Sequence, residues 1–227
     1  MKRAAGDTRG AILAAAATEF AARGFAGASV DDIAAGAGFN KAMIYYHFES
    51  KKELYLEIIR DVFRFMGART GGIVTSDRNP GAKIEAFIDA LDDMAESRPY
   101  IPPIMMREMA EGAIRLDAET LKLMAGVFNN LRLILEEGAR KGVFRPANPV
   151  LTYFTLVSPV IFFRATAPVR AALGKSHVVD ARLIDAPAFV ANLKSAALTI
   201  LSVGASPPAS TRPARRRSRP TRSGDHA

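Results

Sequence analysis

The stretch SVDDIAAGAGFNKAMIYYHF, residues 29–48, has the pattern of two short helices joined by a glycine turn. Ser29 is a favourable N-cap, and the two aspartates that follow lie where a helix N-terminus prefers negative charge. Gly38 is placed to end the first helix in the left-handed conformation that glycine adopts without strain. Asn40 can cap the second helix, which we expect to run from Lys41 to about His47.

The second of these helices has one apolar face and one face rich in hydrogen-bond donors. Ile44 and Phe48 share a side and are expected to join Phe39 in the core. The outward residues include a lysine, two phenols and an imidazole that can donate to phosphates: Lys41, Met43, Tyr45, Tyr46 and His47. This arrangement favours a helix-turn-helix whose second helix enters a DNA groove. The spacing also fits an ordinary helical hairpin with an aromatic packing face.

A longer run around this stretch, over roughly residues 8–59, resembles the DNA-binding domain of the TetR family of bacterial repressors. The family elements F-x-x-x-G-F/Y, T/S-V-x-x-I-A-x-x-A-G, I-Y-x-H/Y-F and K-x-x-L are matched at Phe20, Gly24, Phe25, Ser29, Val30, Ile33, Ala34, Ala37, Gly38, Ile44, Tyr45, His47, Phe48, Lys51 and Leu54. The chain departs from the pattern at Phe39, Asn40, Ala42 and Met43, where Val, Ser, Gly and Thr or Ser are usual. These departures concern the DNA sequence that is recognised, not the fold.

The resemblance implies a homodimer that binds double-stranded DNA at a palindromic operator, with two recognition helices in successive major grooves. It implies that the start of the second helix carries base choice, whereas later residues hold phosphates. The expected DNA-binding residues are Ser29, Asn40, Lys41, Ala42, Met43, Tyr45, Tyr46, His47 and Lys51. A small-molecule effector that releases the operator is also implied, and no cofactor or metal is expected.

Composition limits the class of protein. The chain has 227 residues, 49% of them hydrophobic, which is enough for one large domain or two modest ones. The absence of cysteine excludes disulfides and thiolate metal sites and fits a cytoplasmic location. No apolar run reaches transmembrane length, so no membrane partner is expected.

The positive charge is unevenly distributed along the chain. Of the net charge of +8, the six arginines and one aspartate of residues 205–227 contribute +5. We therefore expect the DNA face to depend on a local basic cluster, not on a globally basic domain: Lys2, Arg3, Arg9, Lys41, Lys51 and Lys52. The Pro/Ser/Arg-rich composition of residues 205–227 predicts a disordered tail, which either adds non-specific DNA affinity or only aids solubility.

Apolar periodicity and capping residues predict helices along the rest of the chain, and no convincing strand. A first helix is expected over about 8–23. A fourth, capped by Ser50, is expected over about 51–68 and is closed by Gly71-Gly72. Later helices start at Asn79-Pro80, Pro102-Pro103, Asp117 and Asn148-Pro149, and the last covers about 187–203 after a loop over about 175–185. Leu121, Met124, Phe128, Leu131 and Leu135 are expected to form the buried stripe of the helix after Asp117.

The predicted fold is all-α and has three parts. Residues 1–50 form an N-terminal three-helix bundle with the helix-turn-helix at about 28–47, and residues 51–204 form a helical ligand-binding and dimerisation domain. Residues 205–227 form the tail. The helix opened by Asn148-Pro149 is apolar nearly all round, so it must be covered on all sides. We expect it and the last helix to make the dimer interface through Leu156, Val160, Phe163, Phe189, Leu193, Ala197 and Ile200.

Methionines and aromatics are in excess between residues 94 and 162, and such adaptable side chains suit a pocket for an apolar or aromatic ligand. The candidate pocket residues are Met94, Tyr100, Met105, Met106, Arg107, Met109, Met124, Phe128, Tyr153, Phe154 and Phe162. Tyr100, Arg107, Tyr153 and Arg164 are candidates for orienting polar groups. The alternative is that these residues are ordinary core.

The sequence contains no catalytic constellation, phosphate loop or dinucleotide fingerprint. Arg107, Glu108 and Glu111 are better explained as surface or paired helix charges than as an acid–base cluster. The favoured interpretation is a ligand-responsive transcriptional repressor and not an enzyme. A non-specific architectural DNA-binding protein, or a helical enzyme, are the alternatives.

Overall fold

The computed structural model describes residues 5–176, 180 and 185–204. The predicted arm with Lys2 and Arg3, most of the predicted loop over 175–185, and the basic tail lie outside these residues. Within the described part there are ten helices and no strand: α1 Ala5–Gly27, α2 Val30–Ala37, α3 Lys41–His47, α4 Lys51–Thr75, α5 Pro80–Ser97, α6 Ile101–Ala110, α7 Ala118–Arg140, α8 Pro149–Ala165, α9 Ala167–Lys175 and α10 Ala186–Leu201. The predicted all-α fold is confirmed.

Side-chain caps set the helix boundaries where the sequence predicts them. Ser29 Oγ accepts hydrogen bonds from two backbone N–H groups in the first turn of α2, and Gly38 ends that helix with φ of 74°. Asn40 caps α3 through Met43 N at 3.0 Å, and Ser50 caps α4 through Glu53 N at 3.0 Å. Each cap satisfies backbone donors that the helix itself leaves without partners. The caps predicted at Asn79, Asp117 and Asn148 are also confirmed.

The prediction that Gly71-Gly72 closes the fourth helix is wrong, because α4 continues through both glycines to Thr75. The reason is its packing against α7. Asn130 of α7 donates to Gly67 O at 3.1 Å and to Thr70 Oγ1 at 2.8 Å. Tertiary contacts of this kind outweigh the roughly 1 kcal/mol that each glycine costs a helix.

Two further helix boundaries and one buried position differ from the prediction. The first helix is longer than 8–23 and contains a break at Gly24, where φ is 70° and ψ is 176°. The helix after Asn148 ends at Ala165 and is followed by α9, which was not predicted. Pro168 explains this break, because it cannot donate the backbone hydrogen bond to Arg164 that a continuous helix requires. Leu121 is exposed, and Val127 takes its place in the buried stripe of α7.

In the part of the chain that the structure describes, no single helix is long and apolar enough to span a membrane. Among the described helices, α8 and α9 taken together reach the length and apolar composition of a span, but they are bent by 56° where they join.

One continuous core runs through the described helices. Phe20, Ile44 and Leu54 are fully buried where α1, α3 and α4 meet. The same core continues between α4, α5 and α7 through Ile59 and Phe87 and reaches α8 and α10. The long helix α4 therefore connects the helix-turn-helix to the rest of the molecule.

Gly138 offers a test of packing at the end of α7. A Cβ there would collide with three ring atoms of Phe144, whose side chain is buried. We expect Gly138→Ala to lower the free energy of unfolding by about 1–3 kcal/mol, as overpacking does. Chemical denaturation measures this.

The matched control lies in the same helix, where a Cβ on Gly126 would meet nothing within 4 Å. Gly126→Ala should raise stability by about 0.5–1 kcal/mol because alanine loses less entropy in a helix. Equal effects of the two substitutions would contradict this description of the Gly138–Phe144 contact.

Candidate DNA-binding surface and ligand cavity

The helix α3 is held from one side and presents the other to solvent. Ile44 and Phe48 are buried, and Phe39 packs against the same core, as predicted. On the opposite side, Tyr46 is 81% exposed and Tyr45 is 48% exposed. The first turn of α3 is exposed as well, at Asn40, Lys41 and Ala42. A rigidly held helix with an exposed first turn has the form that major-groove recognition requires.

Four of the expected DNA-binding residues present less surface than the others, and Lys51 is one of them. Met43 is half-buried and packs against the core, so only part of its side chain is available for DNA. His47 is half-buried, with its ring edge-on to Tyr46 at a centroid distance of 5.1 Å. Ser29 is half-buried, and its hydroxyl oxygen already accepts from Asp31 N and Asp32 N. Ser29 and His47 remain candidates for contacts with the DNA backbone, and Met43 remains a candidate for an apolar contact with a base.

Three of the basic side chains predicted to form the DNA-binding cluster already have partners within the protein. Lys41 Nζ lies 3.0 Å from Asp31 Oδ2, and this hydrogen bond raises the pKa of Lys41. Lys51 Nζ lies over the Phe25 ring, 4.8 Å from its centroid. Arg9 does not face the predicted surface freely, because its guanidinium is 2.7 Å from Glu57 Oε1 and lies over Phe48. Arg9 therefore braces α1 against α4 rather than extending the basic cluster.

A cavity of about 340 Å³ lies between α4, α5, α6, α7 and α8. Eighteen residues line it: Ile59, Val62, Phe63, Met66, Leu91, Met94, Ile101, Met105, Met106, Met109, Met124, Val127, Tyr153, Phe154, Val157, Ser158, Ile161 and Phe162. Met106, Met109, Phe154 and Phe162 are exposed, so the cavity opens to solvent between α6 and α8. A concave apolar site between helices is the usual form of a small-molecule pocket.

The structure brings eight of the eleven predicted pocket residues together in this lining: Met94, Met105, Met106, Met109, Met124, Tyr153, Phe154 and Phe162. Tyr100, Arg107 and Phe128 are not among the lining residues. Phe128 lies behind the wall, edge-on to Tyr153 at 6.0 Å. The prediction also missed the wall that α4 supplies, including Ile59, Phe63 and Met66, although the apolar stripe of α4 was visible in the sequence.

Two arginines predicted as orienting groups for a ligand have other partners. Arg107 of α6 donates to the backbone carbonyls of Phe20 and Ala22 at 3.2 Å each, and to that of Ala21. These carbonyls lie at the end of α1, just before the break at Gly24, where positive charge is favourable. Arg164 forms hydrogen bonds of 2.8 and 2.7 Å with the Asp92 carboxylate.

The sequence predicts that Glu108 is either an exposed or a paired charge. The side chain is fully buried, so it is a paired charge and not an exposed one. Its carboxylate accepts from Tyr55 Oη at 2.9 Å, Arg115 N at 3.1 Å and Arg115 Nη1 at 3.0 Å. Burial and the hydrogen bond to Glu108 raise the pKa of Tyr55, which keeps the phenol protonated as a donor. We call Arg107, Glu108, Tyr55 and Arg115 the α6 polar cluster. It connects α6, which carries part of the cavity wall, to α1 and α4.

The prediction of the dimer interface needs correction. Leu156, Val160, Leu193 and Ala197 are buried within the subunit, because these faces of α8 and α10 pack on neighbouring helices, notably α5. Phe163 and Phe189 stack on each other with their centroids 4.0 Å apart. Of the seven residues, Ile200 is the one classed as exposed. The apolar side chains that α8 leaves exposed are instead Val150, Leu151, Phe154 and Phe162.

Comparison with known proteins gives consistent matches. Residues 12–58 match the family model described as bacterial regulatory proteins, tetR family. The repressor NicS of Pseudomonas putida is 25% identical over 69% of this chain and 74% of that protein. The repressor KstR2 of Mycobacterium tuberculosis is 39% identical over 40% of this chain, which spans less than half (46%) of that relative.

Solved structures share the fold. A TetR family regulator from Marinobacter aquaeolei superposes with a TM-score of 0.67 at 17% identity, covering 87% of this chain and 96% of that one. The structure of KstR2 gives a TM-score of 0.63 at 25% identity, covering 86% and 95%.

The capped helix-turn-helix with an exposed recognition helix, joined to a helical body, defines a DNA-binding transcription regulator rather than an enzyme. Residues 12–58 therefore form a DNA-binding domain of the tetR family type, and the chain as a whole shares the fold of solved TetR family regulators.

The ion pair between Lys41 and Asp31 predicts that DNA affinity is held below its maximum. Asp31→Asn should release Lys41 and remove a negative charge beside the phosphates. We expect several-fold tighter DNA binding, and a slope of log affinity against log salt that is steeper by up to about one unit. Fluorescence anisotropy over a series of salt concentrations measures both.

The control is Asp77→Asn, which removes an exposed carboxylate just beyond the C-terminal end of α4. This residue lies roughly 40 Å along the helix axis from the N-terminal end of α4, which adjoins the helix-turn-helix. The substitution should leave both quantities unchanged. If Asp31→Asn behaves like this control, the ion pair does not limit DNA binding.

Proposed function

We propose that the protein is a homodimeric, ligand-responsive repressor that leaves a palindromic operator when a small apolar or aromatic effector fills the cavity. The observation that carries this proposal is the position of α6. This helix lines the cavity with Met105, Met106 and Met109, and its Arg107 is hydrogen-bonded to the end of α1. One helix therefore touches both the effector site and the DNA-binding bundle.

The DNA contacts follow from the exposed face of α3. Asn40, Lys41 and Ala42 lie in its first turn and are suited to base edges, with Met43 offering an apolar contact. Tyr45, Tyr46, His47, Lys51 and Ser29 are suited to phosphates, because phosphate contacts fix the register of a protein on the duplex. Work on DNA requires the compartment that holds it, so we expect a cytoplasmic protein.

A dimer is supported by the exposed apolar side chains on α8 and α10. Leu151, Phe154 and Phe162 are all more than half exposed, and Ile200 is 47% exposed. Monomeric proteins rarely leave a cluster of large apolar side chains uncovered. We propose that the α8 face centred on Leu151 and Phe154 meets the same face of a second copy, in place of the buried residues that the sequence suggested.

The coupling runs through the α6 polar cluster. A ligand that displaces the methionines of α6 also displaces Arg107 and Glu108, which are neighbours on the same two turns of helix. Through its hydrogen bonds to the backbone carbonyls of α1, Arg107 then shifts α1. Through the hydrogen bond from Tyr55, Glu108 shifts α4. Because the carboxylate of Glu108 is fully buried, it cannot lose its partners gradually without a large energetic cost. The cluster is therefore suited to switching between discrete arrangements.

The energetic requirement for release is modest. The effector has to bind the conformation that does not fit the operator more tightly than the one that does. A coupling free energy of about 1–3 kcal/mol changes operator affinity roughly 5- to 150-fold. The relatives NicS and KstR2 carry the name of repressors, which favours repression over activation here. KstR2 is a ketosteroid transcriptional regulator, and a rigid apolar ring system suits the character of this cavity too.

Selection of bound sequences from a random DNA pool, at near-physiological salt, tests the proposed function. A palindromic motif with half-sites about one helical turn apart is the expected result, because two copies of α3 must reach successive major grooves. Enrichment of no motif, with binding that disappears as salt is raised, would instead indicate a non-specific DNA-coating protein.

Arg107 provides the test of coupling. Arg107→Met keeps an apolar chain but removes the hydrogen bonds to α1. Because Arg107 does not line the cavity, effector affinity should remain within about twofold, whereas the effector should lose most of its power to weaken operator binding. Calorimetry gives the first quantity, and operator titrations with and without effector give the second.

Arg164→Met is the matched control, because Arg164 is also a partly buried arginine but binds Asp92 of α5 and not α1. It should leave the release by effector intact. If the Arg107→Met variant keeps its fold and the effector still releases it fully from the operator, the proposed coupling through Arg107 is wrong.

A further inference from the structure

The polar groups of the cavity are few and uneven. Sixteen of its eighteen lining residues are apolar, and the other two are Tyr153 and Ser158. No charged side chain is among the described residues that line it. Ser158 is exposed on α8 between Phe154 and Phe162, on the face that we propose for the dimer, whereas Tyr153 is half-buried. Tyr153 is thus the more enclosed of the two polar side chains that a bound molecule can meet.

The Tyr153 ring is held in place by aromatic neighbours. Phe128 lies edge-on to it with centroids 6.0 Å apart, and Phe154 does so at 5.8 Å. Its phenol oxygen makes no hydrogen bond to any residue in the part of the chain that the structure describes. Burial raises the pKa of Tyr153 to about 12, so the phenol stays protonated at every physiological pH. A fixed, protonated and unpartnered phenol is a hydrogen-bond donor available to a ligand.

The same lining disfavours an ionised ligand. An ionised carboxylate moved from water into an apolar site needs a compensating charge or several hydrogen-bond donors. Tyr153 offers one donor, and no lysine, arginine or histidine lines the described cavity. The volume of about 340 Å³ also lies at the small end of the range of ligand pockets, roughly 300–1,000 Å³.

We propose that this cavity selects uncharged, compact and largely apolar molecules that carry one hydrogen-bond-accepting oxygen, such as a ketone, and that Tyr153 is the residue that recognises this oxygen. The inference rests on the proposed function only in treating the cavity as the effector site. It goes further by stating the chemistry that distinguishes one apolar compound from another. Ionised acids of the same skeleton are predicted to be excluded.

Methionine methyl groups provide a local reporter for the test. Six of the eight methionines line the cavity, and Met43 in α3 does not, so Met43 serves as an internal control. The full-length protein, labelled with ¹³C at the methionine methyls, is titrated with phenylcyclohexane, 4-phenylcyclohexanone and 4-phenylcyclohexanecarboxylate. The three probes share one skeleton and differ in the polar group alone. Each titration is repeated with Tyr153→Phe and with Tyr100→Phe, a phenol outside the cavity lining.

We expect the ketone to shift the cavity methionines and to bind on the order of 100-fold more tightly than the carboxylate. Tyr153→Phe should weaken the ketone roughly 3- to 10-fold and leave the hydrocarbon unweakened, since only the ketone loses a hydrogen bond. Tyr100→Phe should change neither. A general disturbance of packing would weaken both ligands equally, so the ratio of ketone to hydrocarbon affinity isolates the role of the hydroxyl.

The outcomes separate this inference from the proposed function. Binding of the carboxylate as tightly as the ketone, or an unchanged ratio in Tyr153→Phe, overturns the inference and leaves an effector cavity in place. Ketone binding as expected, together with a failure of every cavity ligand to release DNA, overturns the proposed function and leaves the inference standing. Absence of any methyl shift with all three probes at millimolar concentration overturns both.

Discussion

The helix α4 packs against the DNA-binding bundle and also lines the cavity, and this double role constrains the rest of the structure. Its first turns pack Leu54 and Tyr55 against α1 and the helix-turn-helix. Its middle supplies Ile59, Val62 and Met66 to the wall of the cavity. A close-packed helix of 25 residues cannot change its tilt at one end without moving the other. The DNA-binding bundle and the cavity are therefore mechanically connected through one continuous element.

The α6 polar cluster adds a second connection of a different kind. Apolar packing along α4 is spread over many dispersion contacts that are non-directional and individually weak. Hydrogen bonds to a fully buried carboxylate are few and directional, so small displacements break them. The molecule thus combines a rigid helix, α4, with a hydrogen-bonded cluster, the α6 polar cluster, that favours discrete arrangements. Both elements meet at Tyr55, which packs on Phe20 and Phe25 and donates to Glu108.

The sequence predicted local structure well where a single residue type decides the outcome. Ser29, Gly38, Asn40 and Ser50 act through their own side chains or backbone freedom, and their roles were all legible. Prediction failed where distant packing decides. Gly71-Gly72 resembles a helix end until Asn130 of α7 is known to lie against α4. Pro168 was a legible signal for the break before α9, and it was overlooked.

The functional residues show the same division. The methionine and aromatic content indicated an apolar cavity, because the apolar character of a cavity depends on many lining residues together and is visible in composition. The partners of Arg107 and Arg164, and the contact of Glu108 with Tyr55, were not predictable, because these partners lie far away in sequence. Arg107, for example, meets carbonyls 85 to 87 positions earlier. The interface residues failed for a related reason. On helices that are apolar all round, composition alone cannot say which face turns inward.

The break in α1 has a consequence for how this chain can diverge. Gly24 has a positive φ, and a Cβ there would lie 3.4 Å from Cδ of Arg107. The glycine permits the break, and the arginine occupies the carbonyls that the break exposes. A residue with a side chain at position 24 would lie in van der Waals contact with Arg107 and would have to accept the strain of the positive φ. The two positions, 83 residues apart, are expected to be inherited as a pair, and a lineage that loses one of them has to rebuild the contact between α1 and α6 by other means.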